Sequence, residues 1–306
     1  MQGALIIDKP AGITSHDAVN RVRRIVGERR VGHTGTLDPF ATGVVVMLIG
    51  KATRLMQFLS GAEKEYEALI RLGYATDSGD CTGRPLQSEA QLETKEFNTQ
   101  EIEAAMAALS GDIQQIPPMY SAKKIKGRKL YELARRGEEV EREPVPISIK
   151  TFAPILPPRD LLKTNDDGTR DVAARIVCSA GTYVRTLAED FGKRLGVGAH
   201  LAALRRTRAG NFSIAESHTL EELATMAQSG SIADALISMD ATIAHLPAVD
   251  LNDDDVHRVS HGVDIQSNSN WEQGQHVRLR NRKGELIAVA VYDQPAKTLH
   301  TKVMLG

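Results

Sequence analysis

A loop crowded with glycine and small hydroxyl residues surrounds a single carboxylate: Gly32-His33-Thr34-Gly35-Thr36-Leu37-Asp38-Pro39, then Ala41-Thr42-Gly43. It runs directly into the longest apolar stretch of the chain, residues 44–49. That stretch is rich in β-branched side chains, which suits a strand buried on both faces, and it is far too short to cross a bilayer. The chain is therefore expected to build a sheet around residues 44–49 and to carry this loop at the strand's entrance. Glycines let the main chain approach a ligand closely, and Pro39 fixes the backbone just after the acid. Taken alone, the loop reads equally well as a turn whose Asp38 caps backbone amides.

The rest of the pattern alternates between helix and strand. Residues 4–8 read as a strand ending in a Lys9-Pro10-Ala11-Gly12 turn. Ser15 is placed to cap a helix with Val19, Val22, Ile25 and Val26 inward, its arginines outward and Gly27 as the C-cap. Residues 66–72 alternate like a half-buried strand, and 76–97, with Gly79, Gly83 and Pro85, read as a connecting loop. Asn98 with Glu101 opens a helix that continues through Ile102, Met106 and Leu109 to Gly111. Residues 115–149 bring prolines, a lysine cluster, a short helix-like piece at 130–133 and mixed charge, the texture of a mobile arm rather than core. Residues 172–179 alternate as a strand, preceded at 164–169 by an insertion or long hairpin turn expected on the surface. Val184, Leu187, Phe191 and Leu195 fall at helical spacing, closed by Gly196, and Thr219 with Glu222 caps a helix carrying Leu223 and Met226. Beyond Pro247 three alternating segments, 276–280, 286–292 and 299–305, mark a small all-β module, with the boundary at 240–250.

Charge says more through its distribution than its sum. Over 306 residues the net charge is −1, with 42% hydrophobic and 25% charged residues, which is ordinary for a globular chain and shows no basic excess. Yet Arg21, Arg23, Arg24, Arg29 and Arg30 form one basic cluster, and Lys123, Lys124, Lys126, Arg128 and Lys129 a second, while Asp253, Asp254 and Asp255 gather elsewhere. Local field decides where a polyanion lands. Aromatics at 4% argue against a wide base-stacking platform. Cys81 and Cys178 lie far apart, which argues against a structural zinc and fits a reducing cytoplasm. The first seven residues lack the features of a signal peptide.

At this density of motifs the chain resembles a known family. Asp8-Lys9-Pro10, Gly12 and Thr14-Ser15, then GHTGTLDPFATGV, then Gly50-Lys51-Ala52-Thr53-Arg54, are similar in order and spacing to the TruB family of tRNA pseudouridine-55 synthases. The likeness continues through Lys64-Glu65-Tyr66, Pro117-Pro118-Met119-Tyr120-Ser121-Ala122, Gly181-Thr182-Tyr183-Val184-Arg185-Thr186, Gly198-Ala199-His200-Leu201 and Leu204-Arg205-Arg206 to Met239-Asp240. It implies an α+β fold: a catalytic domain at 1–243 with a mixed, largely antiparallel sheet flanked by helices, a thumb-like arm at about 117–149, and a PUA-like RNA-binding domain at 244–306. It also implies a cytoplasmic, monomeric enzyme that binds the T stem-loop, elbow and acceptor stem of tRNA and needs no cofactor, metal, membrane or protein partner.

The same resemblance distributes roles. Asp38 becomes the nucleophile, and Arg185 the cation that pairs with it. Tyr66 stacks on the target base and is a candidate for taking a proton from the sugar. His33 lies beside the flipped nucleotide, Leu204 forms part of the apolar floor under the uracil, and Arg54 contacts phosphate or substrate. Lys123, Lys124, Lys126 and Arg128 belong to the arm that orders over RNA. On the residues alone, Arg185 would more often be a solvated helix arginine and Tyr66 core filler.

Three other readings compete. An Asp-nucleophile phosphohydrolase would carry its Asp before a Thr-Gly-Thr segment and need a Mg²⁺ carboxylate set; here Asp38 follows it. A non-catalytic RNA-folding module would use the same basic surfaces without turnover. A guide-RNA-dependent relative of the dyskerin type is disfavoured by the long arm and the absence of lysine-rich tails.

Overall fold

The structure, a computed structural model, describes all residues except 87–94, 122, 126, 131–132, 134–135, 139 and 156–160. Among the described residues twelve strands come before residue 214: β1 (Gly3–Lys9), β2 (Val31–His33), β3 (Thr42–Ile49), β4 (Lys64–Leu72), β5 (Gly111–Gln115), β6 (Lys124–Ile125), β7 (Arg128–Lys129), β8 (Val145–Pro154), β9 (Lys163–Thr164), β10 (Arg170–Cys178), β11 (Ala199–Ala209) and β12 (Phe212–Ser213). Ten of them, among the described residues, form one sheet along the path β1-β3-β11-β4-β10-β8-β5, with β2, β9 and β12 attached beside it. Every pairing is antiparallel except β3 with β11. The mixed, largely antiparallel sheet of the sequence reading is thus observed.

Strands β1 and β3 are dry on both faces, which explains their unbroken apolar runs. Leu5, Ile7, Val45, Met47 and Ile49 point into a core shared with Ala18, Val19 and Val22 of helix α1 (Ser15–Val26). Ala4, Ile6, Val44, Val46 and Leu48 point the other way, into a second cluster that also holds Leu55, Phe212 and Ile243 and, near the C-terminus, Leu286, Val289, Val303 and Leu305. A fully buried aliphatic side chain of this size contributes roughly 1.5–3 kcal/mol. The two parts of the chain are therefore joined by apolar packing as well as by a linker.

Helix α1 is capped one residue earlier than the sequence suggested: Thr14 accepts from the Asp17 amide, and the Asp17 carboxylate returns to Thr14, a closed capping box. Gly27 ends it at φ 64°. Helix α2 (Thr99–Ala107), boxed by Asn98 and Glu101, stops short of Gly111, which instead opens β5. Helix α3 (Val184–Leu195), closed by Gly196, and helix α4 (Leu220–Gln228), boxed by Thr219 and Glu222, match their sequence signals.

One boundary needs correction. The segment assigned to the arm up to residue 149 ends in β8, which pairs with β10 and β5 and buries Ile147 and Ile149. Alternation of apolar residues from Val145 drives this, and the mixed charge just before it hid the strand. Leu130 and Leu133, in the helix-like piece of the arm, are buried too. The stretch around 164–169 is a hairpin turn between β9 and β10, with Asp166 and Asp167 exposed.

The C-terminal sheet has the order β13-β15-β16-β17-β14. Its strands are β13 (Ala248–Asp250), β14 (Ile265–Gln266), β15 (His276–Arg280), β16 (Leu286–Asp293) and β17 (Thr298–Met304). The module is not purely strand: Asn252 caps a helix at Asp253–Ser260 whose first turn holds the acidic trio, where negative charge favours the helix dipole. Arg278 ties the module to the linker, reaching Asp240 at 2.7 Å and the Leu246 carbonyl at 2.9 Å. Among the described residues no helix is long and apolar enough to cross a membrane.

Candidate active site

The Asp38 loop leaves the sheet through a fork. One edge of β3 pairs with β1 along its length. The other edge is shared: β11 holds it at Thr42 and Gly43, and β2 holds it from Met47 to Ile49. The chain between β2 and β3 must cross the gap where these partners diverge, and residues 34–41 are that crossing.

Several side chains fix the loop's backbone. Ser15, 2% exposed, donates to the Leu37 carbonyl at 3.0 Å and accepts from the Leu37 amide at 2.8 Å. Its hydroxyl therefore grips the residue before Asp38, the task the sequence reading had misplaced as a helix cap. Arg206, 2% exposed, donates to the carbonyls of Val44 (2.7 Å), Gly35 (3.1 Å) and Thr36 (3.3 Å). Lys9 is enclosed as well, its ammonium donating to Pro10, Ile13 and, at 3.3 Å, Pro39. Burial lowers its pKa to about 8, against the raising influence of Asp38.

Asp38 meets Arg185 in the first turn of α3. Nε of Arg185 donates to one Asp38 oxygen at 2.9 Å and an Nη to the other at 3.3 Å. The remaining donors reach the carbonyls of Ser78 (2.9 Å) and Tyr120 (2.7 Å). A second carboxylate, Asp80, lies 3.8 Å from the same Nε, and its other oxygen accepts from Ser78, Thr82 and the Thr82 amide. A cation in the first turn stands at the wrong end of the helix dipole, so these acids offset an otherwise unfavourable position. Gln115 holds the helix entrance, its amide exchanging hydrogen bonds with the Tyr183 backbone at 2.8 and 3.1 Å. The Arg185 side chain is 6% exposed and that of Asp38 34%, so the carboxylate is the open half of the pair.

Of the other expected residues, Tyr66 lies within electrostatic reach of Asp38 and His33 within reach of Arg206. Tyr66 on β4 lies across from Arg206 on β11, and Leu204 across from Ala68. Both Tyr66 and Leu204 are buried in the main core. Burial pushes the Tyr66 phenol above its usual range. Residue His33 ends β2, and its Nδ1 is buried without a partner among the described residues. Burial, then the Arg206 charge, push its pKa down, which favours a neutral ring.

Arg54 is elsewhere. It sits on the 3-10 stretch Gly50–Phe58 and donates to the Met304 carbonyl at 2.7 Å, joining the catalytic sheet to the C-terminal one. In the arm, Lys123 is half-buried before the β6–β7 hairpin and Arg128 is exposed on β7. Lys126 lies outside the described residues, and so does the Lys124 side chain. The arm still reaches the site, because Tyr120 supplies a carbonyl to Arg185.

Lys9, Asp80 and Arg206 were not read as site residues. Strand alternation places Arg206 on the same side as Leu204, which could have flagged an inward arginine. Lys9 closes an otherwise buried apolar run, a second usable signal. Asp80 left none, since its partners come from local turns and from a helix far along the chain.

Known proteins resemble this chain along most of its length. The family model described as TruB family pseudouridylate synthase (N terminal domain) matches residues 23–184, and that of the tRNA pseudouridylate synthase B C-terminal domain matches 185–244. The tRNA pseudouridine synthase B of Geobacillus thermodenitrificans is 43% identical over 266 residues, 86% of this chain and 85% of that protein. That of Solibacter usitatus is 38% identical over 291 residues, 94% of this chain and 95% of that one. Among solved structures, the Cbf5-Nop10-Gar1 complex superimposes with TM-score 0.73 at 27% identity, covering 99% of this chain and 85% of that chain.

Proposed function

The chain belongs to the TruB family of pseudouridylate synthases, and on that premise we propose that it isomerises uridine 55 in the T loop of tRNA to pseudouridine, with Asp38 as nucleophile. The observation that carries this reading is the half-open Asp38 carboxylate held in a two-point bond by the buried Arg185. Phosphohydrolase chemistry finds no comparable support.

The reaction breaks the N1–C1′ bond, forms a C5–C1′ bond, and moves a proton from C5 to solvent while N1 gains one. Atoms balance within the nucleotide, so no redox cofactor enters. Asp38 attacks C1′ as uracil departs with the bonding electrons, or assists departure of the base towards a glycal. Both routes use the same carboxylate and require the freed base to turn in place. Tyr66, with its phenol raised, is a poor base at neutral pH, so stacking is the role its position favours. Leu204 supplies apolar floor, and His33 flanks the everted nucleoside as a neutral ring.

A stacked T-loop uridine hides C1′, and everting it costs a few kcal/mol. The arm before β8, about 117–144, carrying Lys123, Lys124, Lys126 and Arg128, offsets that cost by closing on the RNA. We assign residues 1–243 to catalysis and 244–306 to a PUA-like module that binds the elbow and acceptor stem. Identity of 38–44% to proteins named tRNA pseudouridine synthase B, against 26–27% to chains of the Cbf5 complexes, supports tRNA as the substrate, and we read the protein as a monomer working in the cytoplasm without guide RNA.

The test is direct. Purified protein is incubated with an unmodified tRNA transcript and pseudouridine is mapped by carbodiimide primer extension. A stop at the T-loop uridine is expected, absent when that uridine is cytidine and absent with Asp38→Asn. Product from Asp38→Asn would remove Asp38 from the mechanism.

A further inference from the structure

The seam between the two sheets carries basic groups that lack acids. Several described arginines elsewhere are matched: Arg71 with Asp171, Arg175 with Glu65, Arg205 with Asp8, Arg208 with Glu63, Arg280 with Asp250. At the seam, Arg54 is exposed and its visible partner is the neutral Met304 carbonyl. Lys302, two residues before Met304 on β17, is exposed too, and its ammonium faces another base, with Nζ 3.0 Å from Nε2 of His276. Arg30 joins them from the sequence's first basic cluster, since its carbonyl accepts from the Gly50 amide at 2.7 Å. The nearby Glu28 carboxylate is occupied by the Arg30 amide at 2.8 Å. Among the described residues none of Arg30, Arg54 and Lys302 forms an ion pair.

This row leads toward the catalytic loop. Phe58, at the end of the Arg54 stretch, packs edge-on against His276 with centroids 5.0 Å apart. The same ring lines a cavity of about 520 Å³ bounded also by Lys64 and by Thr34, the residue after His33. The Lys302 ammonium keeps its positive charge while hydrogen-bonded to a neutral imidazole, and burial with that charge holds the His276 pKa down, so the charge stays free to meet an anion.

We propose that the seam is a docking track for the sugar–phosphate backbone of the substrate RNA, with Arg54 and Lys302 each contacting a phosphate of the helical stem that carries the target loop. The claim rests on the tRNA-modifying reading above. Arg54 is then a phosphate contact made between the modules rather than beside Asp38. Lys302 acts as a point charge whose neighbour His276 accepts its hydrogen bond until phosphate arrives.

The test compares binding of full-length tRNA across salt concentrations for wild type, Lys302→Gln, Lys302→Arg and Lys283→Gln, the last altering an exposed lysine in the β15–β16 turn. Each lost phosphate contact lowers the slope of log affinity against log salt by about 1. Lys302→Gln should show that loss with an unchanged melting temperature, Lys302→Arg should restore the slope, and Lys283→Gln should leave it at the wild-type value. An unchanged slope in Lys302→Gln, or an equal drop in Lys283→Gln, overturns the track. If wild type fails to bind tRNA at all, the proposed function falls instead.

Discussion

A single hydroxyl, that of Ser15, is hydrogen-bonded to both the amide and the carbonyl of Leu37, the residue next to Asp38. The start of helix α1 thereby holds the loop that carries the proposed nucleophile.

Replacing Ser15 with Ala leaves a buried amide and a buried carbonyl without their partner. A loss of about 1–3 kcal/mol in urea unfolding is expected, with kcat falling more than KM rises because the carboxylate's placement is disturbed. A stable variant with wild-type kcat would remove Ser15 from that role.

Arg185→Lys keeps the charge and loses the fork. Two-point contact with Asp38 and the bonds to Ser78 and Tyr120 cannot all be made by one ammonium. Single-turnover rates should drop by on the order of 10²-fold or more, the scale of a broken buried charge pair, while tRNA affinity holds. Equal rates for both proteins would show the fork to be dispensable.

Lys9 gives a pH signature. Its pKa is lowered from 10.5 to about 8, so the unfolded chain holds more protons between those values. Wild-type stability should therefore rise with pH from about 8 towards 10.5 relative to Lys9→Met, as the cost of burying the ammonium disappears. Activity should move oppositely, declining above about pH 8 as Asp38 loses a nearby cation. Thermal melts and pH–rate profiles of the two proteins check both; parallel curves would contradict them.

Gly43→Ala should be severe. Gly43 has φ 106°, and a Cβ there would stand 2.2 Å from the Arg206 carbonyl oxygen. Main chain cannot swing aside as a side-chain tip can, so the parallel β3–β11 contact must open. A loss of roughly 2–4 kcal/mol is expected by calorimetry; a near-wild-type melting temperature would mean that the fork tolerates opening.

What could be read from the chain alone followed the range of each interaction. Helices boxed by Asn98–Glu101 and Thr219–Glu222 were legible because the cap and its partner lie three residues apart. Strands at 276–280 and 286–292 were legible from alternation. Ser15 was misread because its partner Leu37 is 22 residues away, and Thr14 had the better local claim on the cap. Asp38 and Arg185, separated by 147 positions, could be linked from sequence only through the family resemblance; nothing local pairs them. Val145 to Ile149 was lost to the arm because the charged residues before it dominate any window that contains both. The destination of Arg54 depended on a strand 250 residues later.

The outward-facing row of Ala4, Ile6, Val44, Val46 and Leu48 has a consequence for how such a gene can be cut. Ending the protein at residue 243 would strip Leu286, Val289, Val303 and Leu305 from the apolar cluster that β1 and β3 share. The apolar remnant so uncovered would favour self-association over solitary catalysis. Any graft of a different tail would have to supply a matching apolar surface before it could supply a new specificity.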